Sequence, residues 1–185
     1  MIALLSIVAL ALTTQTWANG YQFGIDISWN GLGMRTGGQY AHDGSAEAVA
    51  AQSVTPLGIW VVLACAITLL TAVIMAIPRL AGFAMWLRWA GGLVALVAIT
   101  VPAVILIEPI SFLSMFDYMT PEAVAHYRGY MRDLVLHRPT LIALIVVLFL
   151  TSAACVAAAV HVKRVPTVAS TDPQESETPR SERSD

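Results

Sequence analysis

The sequence predicts an integral membrane protein that is mainly α-helical: a four-transmembrane-helix bundle with an outer-face β-hairpin loop and an outer amphipathic helix. The first observation is the composition, because 57% of the 185 residues are hydrophobic and only 12% are charged, about half the charged fraction of a soluble domain. The second is a set of apolar runs long enough to cross a bilayer. The third is a pair of more polar segments between these runs, each with its own periodicity.

Three apolar runs have the length of about 20 residues that a membrane-spanning helix needs. They are Leu57–Pro78, Trp89–Ile110 and Thr140–Val162, and none has a charged residue in its middle. The N-terminal run, residues 1–18, is either a first transmembrane helix or a signal segment. Because no Lys or Arg precedes its apolar core, we expect an uncleaved helix rather than a signal peptide.

Basic residues predict the orientation of these helices. Arg79 and Arg88 flank the short link between the second and third spans, and Lys163 and Arg164 follow the last span. Cytoplasmic loops carry an excess of Lys and Arg. We therefore expect both of these ends to be cytoplasmic.

This orientation makes loops 19–56 and 111–139 extracytoplasmic in a multi-pass protein of the plasma (inner) membrane. The second loop carries three arginines of its own, and these argue against an extracytoplasmic position. Its acidic residues do not offset them, because acidic residues have little weight in this rule. After the three further helices within 57–164, the tail 165–185 is polar and rich in Pro, Ser and Glu, so we expect it to be cytoplasmic and disordered. The abundance of Ala and Val, with this acidic tail, favours a bacterial protein.

The first outer loop begins with "YQFGIDISWNGLGM", residues 21–34, in which apolar and polar residues alternate as in a half-buried strand. Asn30-Gly31 is the favoured pair for a two-residue type I′ turn, and Leu32 and Met34 resume the alternation as a return strand. An isolated hairpin is marginal in water. Its apolar face must therefore rest on the helix ends, the second outer segment, the bilayer interface or a partner protein. That face consists of Tyr21, Phe23, Ile25, Ile27 and Trp29.

The second outer loop predicts an amphipathic helix over residues 121–136. Thr120 is a good N-cap and Pro121 suits the first helical position. An apolar stripe then recurs at helical spacing, formed by Val124, Tyr127, Met131 and Leu134. We expect this helix to lie flat on the outer membrane face or to be clamped over the bundle. Tyr127 and Met131 join the hairpin face as candidates for a partner interface.

The order of elements resembles that of claudin-type four-helix membrane proteins. The stretch "WNGL", Trp29–Leu32, is similar to the Trp and Gly-Leu signature of their first loop. The paired loop cysteines of that family have no counterpart here, since Cys65 and Cys155 both lie inside apolar runs, where small apolar side chains are expected. Layout alone does not determine function.

Groups suited to catalysis or to cofactor binding are sparse. None of the four histidines, His42, His126, His137 and His161, lies near the middle of a span, so a haem with two histidine ligands is not expected. A metal site formed by His42, Asp43 and His126 is an alternative that we do not favour. The sequence also has no GxSxG, HExxH or phosphate-loop pattern. We therefore predict no catalytic residue, no cofactor and no metal.

Glu108 is the ionisable group closest to the membrane interior, at the outer end of the third span. Arg128 or Arg132 of the outer helix can reach it, and the pair either pins that helix or forms a proton or substrate site.

We expect a non-enzymatic accessory, structural or assembly subunit of a larger inner-membrane complex, in contact with the lipid bilayer and with other membrane proteins. The alternative is a small transporter, channel or sensor with an extracytoplasmic vestibule near Glu108. A membrane enzyme that uses His126 with Glu108 or Asp117 ranks below both. The net charge of −2 gives no reason to expect a nucleic-acid partner.

Overall fold

The computed structural model describes residues 1–21, 26–37, 54–77, 81–114 and 120–162. This part of the chain is mostly helical and carries one small three-stranded antiparallel sheet. Several features of the sequence analysis lie outside the described residues: Phe23 and Ile25 of the hairpin face, the candidate ligands His42 and Asp43, the basic residues Arg79, Lys163 and Arg164, Asp117, and the tail 165–185.

Six α-helices follow one another along the described chain. They are α1 (Ile2–Thr14), α2 (Gly58–Met75), α3 (Ala81–Ala98), α4 (Thr100–Ile107), α5 (Pro121–Tyr130) and α6 (Arg138–Val162). Three stretches are long and apolar enough to span a membrane: Gly58–Met75, Met85–Ile107 and Arg138–His161. The prediction of three such helices is confirmed.

The second of these stretches is interrupted where α3 passes into α4. Pro102 has no N–H to donate to the carbonyl of Ala98, and its ring crowds that carbonyl. Ile99, which lies between the two helices, donates its N–H to the carbonyl of Leu96, three residues back, at 3.2 Å. The break between the two helices therefore lies one turn before the proline, as the chemistry of proline requires.

Helix α1 is shorter than the predicted first span. It has 13 residues and ends at Thr14, so at 1.5 Å per residue it is about 20 Å long, less than the bilayer core of about 30 Å. Strand β1 (Thr16–Asn19) takes the place of the predicted last turn. The cause is Trp17, whose side chain is completely buried and whose ring nitrogen donates to the carbonyl of Leu12 at 3.0 Å.

The sheet consists of β1, β2 (Ser28–Asn30) and β3 (Arg35–Gly37), with β2 in the centre. The sequence did not predict β1, and the return strand β3 begins one residue after Met34. Between β2 and β3 the turn is also one residue longer than the predicted type I′ turn. Gly33 donates its N–H to the carbonyl of Asn30 at 3.1 Å and has a φ of 75°, as in a three-residue connection with glycine in the left-handed position.

The side chain of Asn30 explains the longer turn. Its Oδ1 accepts the N–H of Leu32 at 3.0 Å and that of Met34 at 2.9 Å. These two hydrogen bonds lie inside the three-residue connection. They give partners to two backbone amides that the strand pairing does not use. Asn30 therefore begins the turn, whereas a type I′ turn would place it at a central position.

The predicted alternation of the hairpin is also only partly present. Ile27, Ser28, Trp29 and Asn30 are all buried, at 3%, 6%, 1% and 5% exposure, so both faces of β2 are covered. On one side the sheet lies over the helix ends. In addition, Val54, from the end of the same loop, belongs to the main apolar cluster with Ile27 and Trp29.

Helix α1 packs against α2 and α6, and α3 packs against the same two helices. Small and hydroxyl side chains mark the contacts. A Cβ placed on Gly92 would lie 3.3 Å from the Cβ of Cys155, and the hydroxyl of Ser152 donates to the carbonyl of Gly92 at 2.8 Å. The hydroxyls of Ser6 and Thr68 join α1 to α2 at 2.7 Å. Such contacts are typical of helices that approach closely in apolar surroundings.

Helix α5 begins as the cap predicts, with the hydroxyl of Thr120 accepting the N–H of Ala123 at 3.4 Å. One π-helical turn, Met131–Val135, follows it. The predicted apolar stripe is wrong at its last position, because Val135 is buried and Leu134 is 44% exposed. The π turn closes with a bond from the N–H of Leu136 to the carbonyl of Met131 and holds one residue more than an α turn. The next inward position after Met131 is therefore shifted by one residue.

Candidate functional site

The turn of the hairpin lies between the ends of two helices and binds both. Gly31 donates its N–H to the carbonyl of Thr13 in the last turn of α1, at 3.0 Å. The carbonyl of Gly31 accepts the N–H of Gly58, the first residue of α2, at 2.8 Å. Helix ends leave such backbone groups without partners inside the helix. One residue of the hairpin thus satisfies an end of each helix.

Glycine is required at both positions by close approach. A Cβ on Gly31 would lie 2.5 Å from the ring of Trp17, and a Cβ on Gly58 would lie 2.6 Å from the carbonyl atoms of Gly31. The ring of Trp17 also packs against Phe112 with ring centres 5.9 Å apart. We call this arrangement of Trp17, Gly31 and Gly58 the glycine clamp.

The outer edge of β1 is paired with the chain just before α6. His137 donates its N–H to the carbonyl of Trp17 at 2.8 Å, and Ala18 forms an isolated antiparallel bridge with Leu136. An exposed strand edge invites pairing with other chains. Here the segment at Leu136 and His137 covers it, and the sheet is joined to the start of α6.

The ion pair considered from the sequence is present on the same side of the molecule. Arg128 contacts the Glu108 carboxylate at 2.9 Å, and the two side chains are 47% and 37% exposed. Glu108 follows the last residue of α4, where its N–H donates to Val104 and its carbonyl accepts from Ser111. The pair therefore joins α5 to the end of the second long apolar stretch.

Arg132, the other arginine considered for Glu108, contacts Asp133 instead, at 3.2 Å. The same carboxylate oxygen accepts from Arg138 at the start of α6, at 3.0 Å. All three side chains are close to half exposed. Exposed pairs of this kind contribute about 0–1 kcal/mol each.

Among the described residues, the candidate interface residues do not form one surface. Tyr21 and Tyr127 are exposed, at 54% and 45%, whereas Ile27, Trp29 and Met131 are buried within the chain. At Ile27 and Trp29 the apolar face of the hairpin is therefore covered by the protein itself.

The described residues bring few reactive groups together. The ring of His126 packs edge-on against Tyr127 with ring centres 5.0 Å apart, and Nδ1 of His137 lies 2.6 Å from the hydroxyl of Thr140. In the ranges that the structure describes, no three His, Cys, Asp or Glu residues lie close enough together to hold a metal ion. Cys65 and Cys155 are both buried and unpaired with each other.

At the opposite end of the helices, Arg88 contacts two neighbouring helices. Its Nε lies 2.9 Å from the sulfur of Met75 in α2, and another guanidinium nitrogen donates to the carbonyl of Ala158 in α6 at 3.2 Å. A cation near the C-terminal ends of helices is favourable. Arg88 thus joins α2, α3 and α6 at the end where the sequence places the basic residues.

Sequence reasoning missed an apolar groove of about 550 Å³ between α2 and the α3–α4 helices. Its lining includes Ala64 and Ala98, which are buried, and Trp60, Leu93 and Val97, which are 62%, 63% and 58% exposed. The groove could not be predicted from the sequence, because the separation of two helices depends on tertiary packing.

Comparison with protein-family models, with curated proteins and with solved structures finds no match to this chain. The resemblance to claudin-type proteins therefore rests on the order of elements and on the stretch Trp29–Leu32.

Proposed function

We propose that the chain is a non-enzymatic protein of the plasma (inner) membrane in which α1, α2, α3–α4 and α6 form a membrane-embedded four-helix bundle. It acts as an accessory or structural subunit that binds another membrane protein through the flank of α2 and α3. The sheet and α5 lie on the extracytoplasmic side, and the end at Arg88 faces the cytoplasm.

The outward-facing side chains of the long helices support the membrane setting. Leu70 and Val73 of α2, Leu96 of α3 and Phe149 of α6 are 59%, 60%, 48% and 58% exposed. Soluble monomers rarely expose large contiguous apolar patches. In a bilayer these side chains contact lipid acyl chains, which are as apolar as they are. The backbone N–H and C=O groups there must be paired within the helices, because no water is present.

The aromatic and basic residues support the orientation. Trp86 and Trp89 are 72% and 44% exposed and flank Arg88 in α3. Indole rings are enriched at membrane–water boundaries, and cytoplasmic ends are rich in Lys and Arg. The end opposite the sheet therefore has the character of a cytoplasmic boundary.

The groove between α2 and α3 is the single observation that carries the partner proposal. Its lining includes two alanines, and helix interfaces in lipid are enriched in small residues because these let backbones approach closely. Two of the five residues of the hairpin face, Ile27 and Trp29, are buried within the chain. The groove therefore offers a candidate interface in addition to the one that the sequence suggests at the hairpin.

A matched pair of substitutions tests this assignment. Val97 lines the groove and Leu96 does not, yet both are exposed on the same helix, at 58% and 48%. Val97→Trp fills the groove, whereas Leu96→Trp places the same bulk beside it. After mild detergent extraction of the tagged protein from native membranes, we expect a defined co-purifying membrane protein to be lost with Val97→Trp and kept with Leu96→Trp.

Equal recovery of the partner with both variants would show that the partner does not bind in the groove. A photo-crosslinking residue gives a second readout: at Leu93, within the groove, we expect one discrete crosslinked protein, and at Leu70, which is equally exposed but outside it, only lipid adducts. Purification of a monodisperse monomer alone, with lipid adducts at both positions, contradicts the accessory-subunit proposal.

A further inference from the structure

Helix α5 is held at the level where two of the long spans end. Its Arg128 contacts Glu108, which directly follows the span Met85–Ile107, and Asp133 in the π turn contacts Arg138, the first residue of the span Arg138–His161. If these spans cross a bilayer, both ends lie at the boundary between the acyl chains and water. Helix α5 then lies at the depth of the lipid headgroups.

The chain itself covers little of α5. None of the side chains of Pro121–Tyr130 is buried, whereas Met131 and Val135 of the following π turn are inserted in the main apolar cluster. The turn is therefore the attachment point, and the helix is not clamped inside the protein. This distinguishes the two placements that the sequence left open for the amphipathic helix.

One side of this segment carries apolar and aromatic groups that remain accessible. Tyr127, Tyr130 and Leu134 are 45%, 39% and 44% exposed. Tyr127 and Tyr130 are three residues apart, a spacing that places side chains on a common face of α5, and Leu134 follows in the π turn. Tyrosine combines an apolar ring with a polar tip and is enriched at membrane interfaces. The chemistry of this face suits the headgroup–acyl boundary.

The charged groups beside it are complementary to phosphate. Asp133 is shared by Arg132 and Arg138, so this trio carries one net positive charge, while Arg128 and Glu108 cancel each other. Each guanidinium has five N–H donors and gives one nitrogen to Asp133 in these contacts. Donors remain for bidentate bonds to phosphate, the geometry that arginine favours. Glu122, the acidic residue of α5 itself, lies in the first turn of that helix, at the end away from the π turn.

We propose that α5 and the π turn form a binding surface for phospholipid headgroups. Arg132 and Arg138 bind lipid phosphates, and Tyr127, Tyr130 and Leu134 lie at the boundary with the acyl chains. This inference rests on the membrane embedding proposed above. It adds the class of ligand, an anionic phospholipid, and the outer leaflet as its location.

Spin labels on the full chain in vesicles of phosphatidylcholine and phosphatidylglycerol test the proposal. In a Cys65→Ala/Cys155→Ala background, single cysteines replace Tyr127 or Leu134, with Met34 (61% exposed, in the hairpin turn) as the water control and Phe149 (58% exposed, in α6) as the lipid control. Collision rates with oxygen and with a water-soluble nickel chelate report the depth of each label. We expect the labels at 127 and 134 to be several-fold less accessible to nickel than the label at 34.

The controls separate this inference from the membrane proposal itself. A label at 149 shielded from nickel, together with labels at 127 and 134 as accessible as the one at 34, overturns the headgroup surface and leaves the embedding intact. A label at 149 that is accessible to nickel overturns both.

The arginines have their own test with the label at 134. Each basic residue near an anionic membrane contributes about 1 kcal/mol, or roughly fivefold in partitioning. Arg132→Gln/Arg138→Gln should raise the nickel accessibility of the label in vesicles that contain phosphatidylglycerol and change it less in pure phosphatidylcholine. Arg132→Lys/Arg138→Lys keeps the charges and should keep the label shielded. Equal accessibility in all three proteins contradicts a role for these arginines.

Discussion

Two elements close the sheet-bearing end of this protein, and they are attached in opposite ways. The hairpin is held by buried backbone hydrogen bonds through Gly31, with the ring of Trp17 packed on it. Helix α5 is held by the exposed contact between Arg128 and Glu108 and by the core residues of the turn that follows it. The turn of the hairpin is therefore fixed by contacts inside the protein, whereas no side chain of α5 is buried.

The difference follows from where unpaired polar groups occur. The last carbonyls of α1 and the first amides of α2 lie next to apolar cores, where leaving one unpaired costs about 1–3 kcal/mol. An exposed ion pair replaces contacts with water that are nearly as favourable. Substitutions at the two elements should therefore differ in the size of their effect and even in its sign.

The largest effect is expected at Gly58. A methyl group there meets the backbone of Gly31 at 2.6 Å, and backbone cannot rotate away, so Gly58→Ala should lower the free energy of unfolding by about 3 kcal/mol through overpacking and the weakened hydrogen bond. Titration with denaturing detergent in mixed micelles measures this. Gly129→Ala in α5 is the matched control, since nothing lies within 4 Å of its added methyl group, and it should stabilise by about 0.5–1 kcal/mol. A similar loss for both variants would show that the two elements do not differ as described.

A double-mutant cycle within the glycine clamp comes next. Gly31→Ala places a methyl group 2.5 Å from the six-membered ring of Trp17 and should cost about 2 kcal/mol. Trp17→Phe loses the bond to Leu12 and some packing, at about 1–2 kcal/mol, but it makes room for that methyl group. The double variant should therefore be more stable than the sum predicts, by about 1 kcal/mol. Additive losses would mean that the ring does not confine Gly31.

The smallest effect is expected at the ion pair of α5. Glu108→Gln removes an exposed contact and should lower the free energy of unfolding by about 0.5 kcal/mol, with the difference from the parent shrinking as salt is added. The same variant tests the alternative of a transporter, channel or sensor. If Glu108 only pins α5, ion flux through reconstituted vesicles should not respond to the substitution, and a change in flux would favour the vestibule.

The sequence predicts well what depends on local composition and poorly what depends on distant partners. The three long helices follow from runs of apolar residues, and the start of α5 follows from Thr120 and Pro121, because both signals are contained in a few consecutive residues. The end of α1 could not be predicted in this way. It depends on Trp17 and on Gly31, which is distant in sequence but adjacent in the fold.

The candidate site shows the same limit. An arginine of the outer helix within reach of Glu108 was a reasonable expectation from charge, but the choice of Arg128 over Arg132 depends on how α5 lies against the end of α4. The π turn is invisible to a periodicity argument, since one extra residue changes which side chains point inward. The groove between α2 and α3 exists only once both helices are packed.

The glycine clamp also has a consequence for a bilayer whose thickness varies. In the proposed membrane setting, the 13 residues of α1 are too few for the hydrocarbon core, and a stretch that is too short thins the bilayer around it. Because Gly31 binds the last turn of α1 through its N–H and the first residue of α2 through its carbonyl, α1 cannot shift along the bilayer normal without displacing the start of α2. The difference in length between α1 and the bilayer core therefore acts on α2 as well, through the turn of the hairpin that binds both helices.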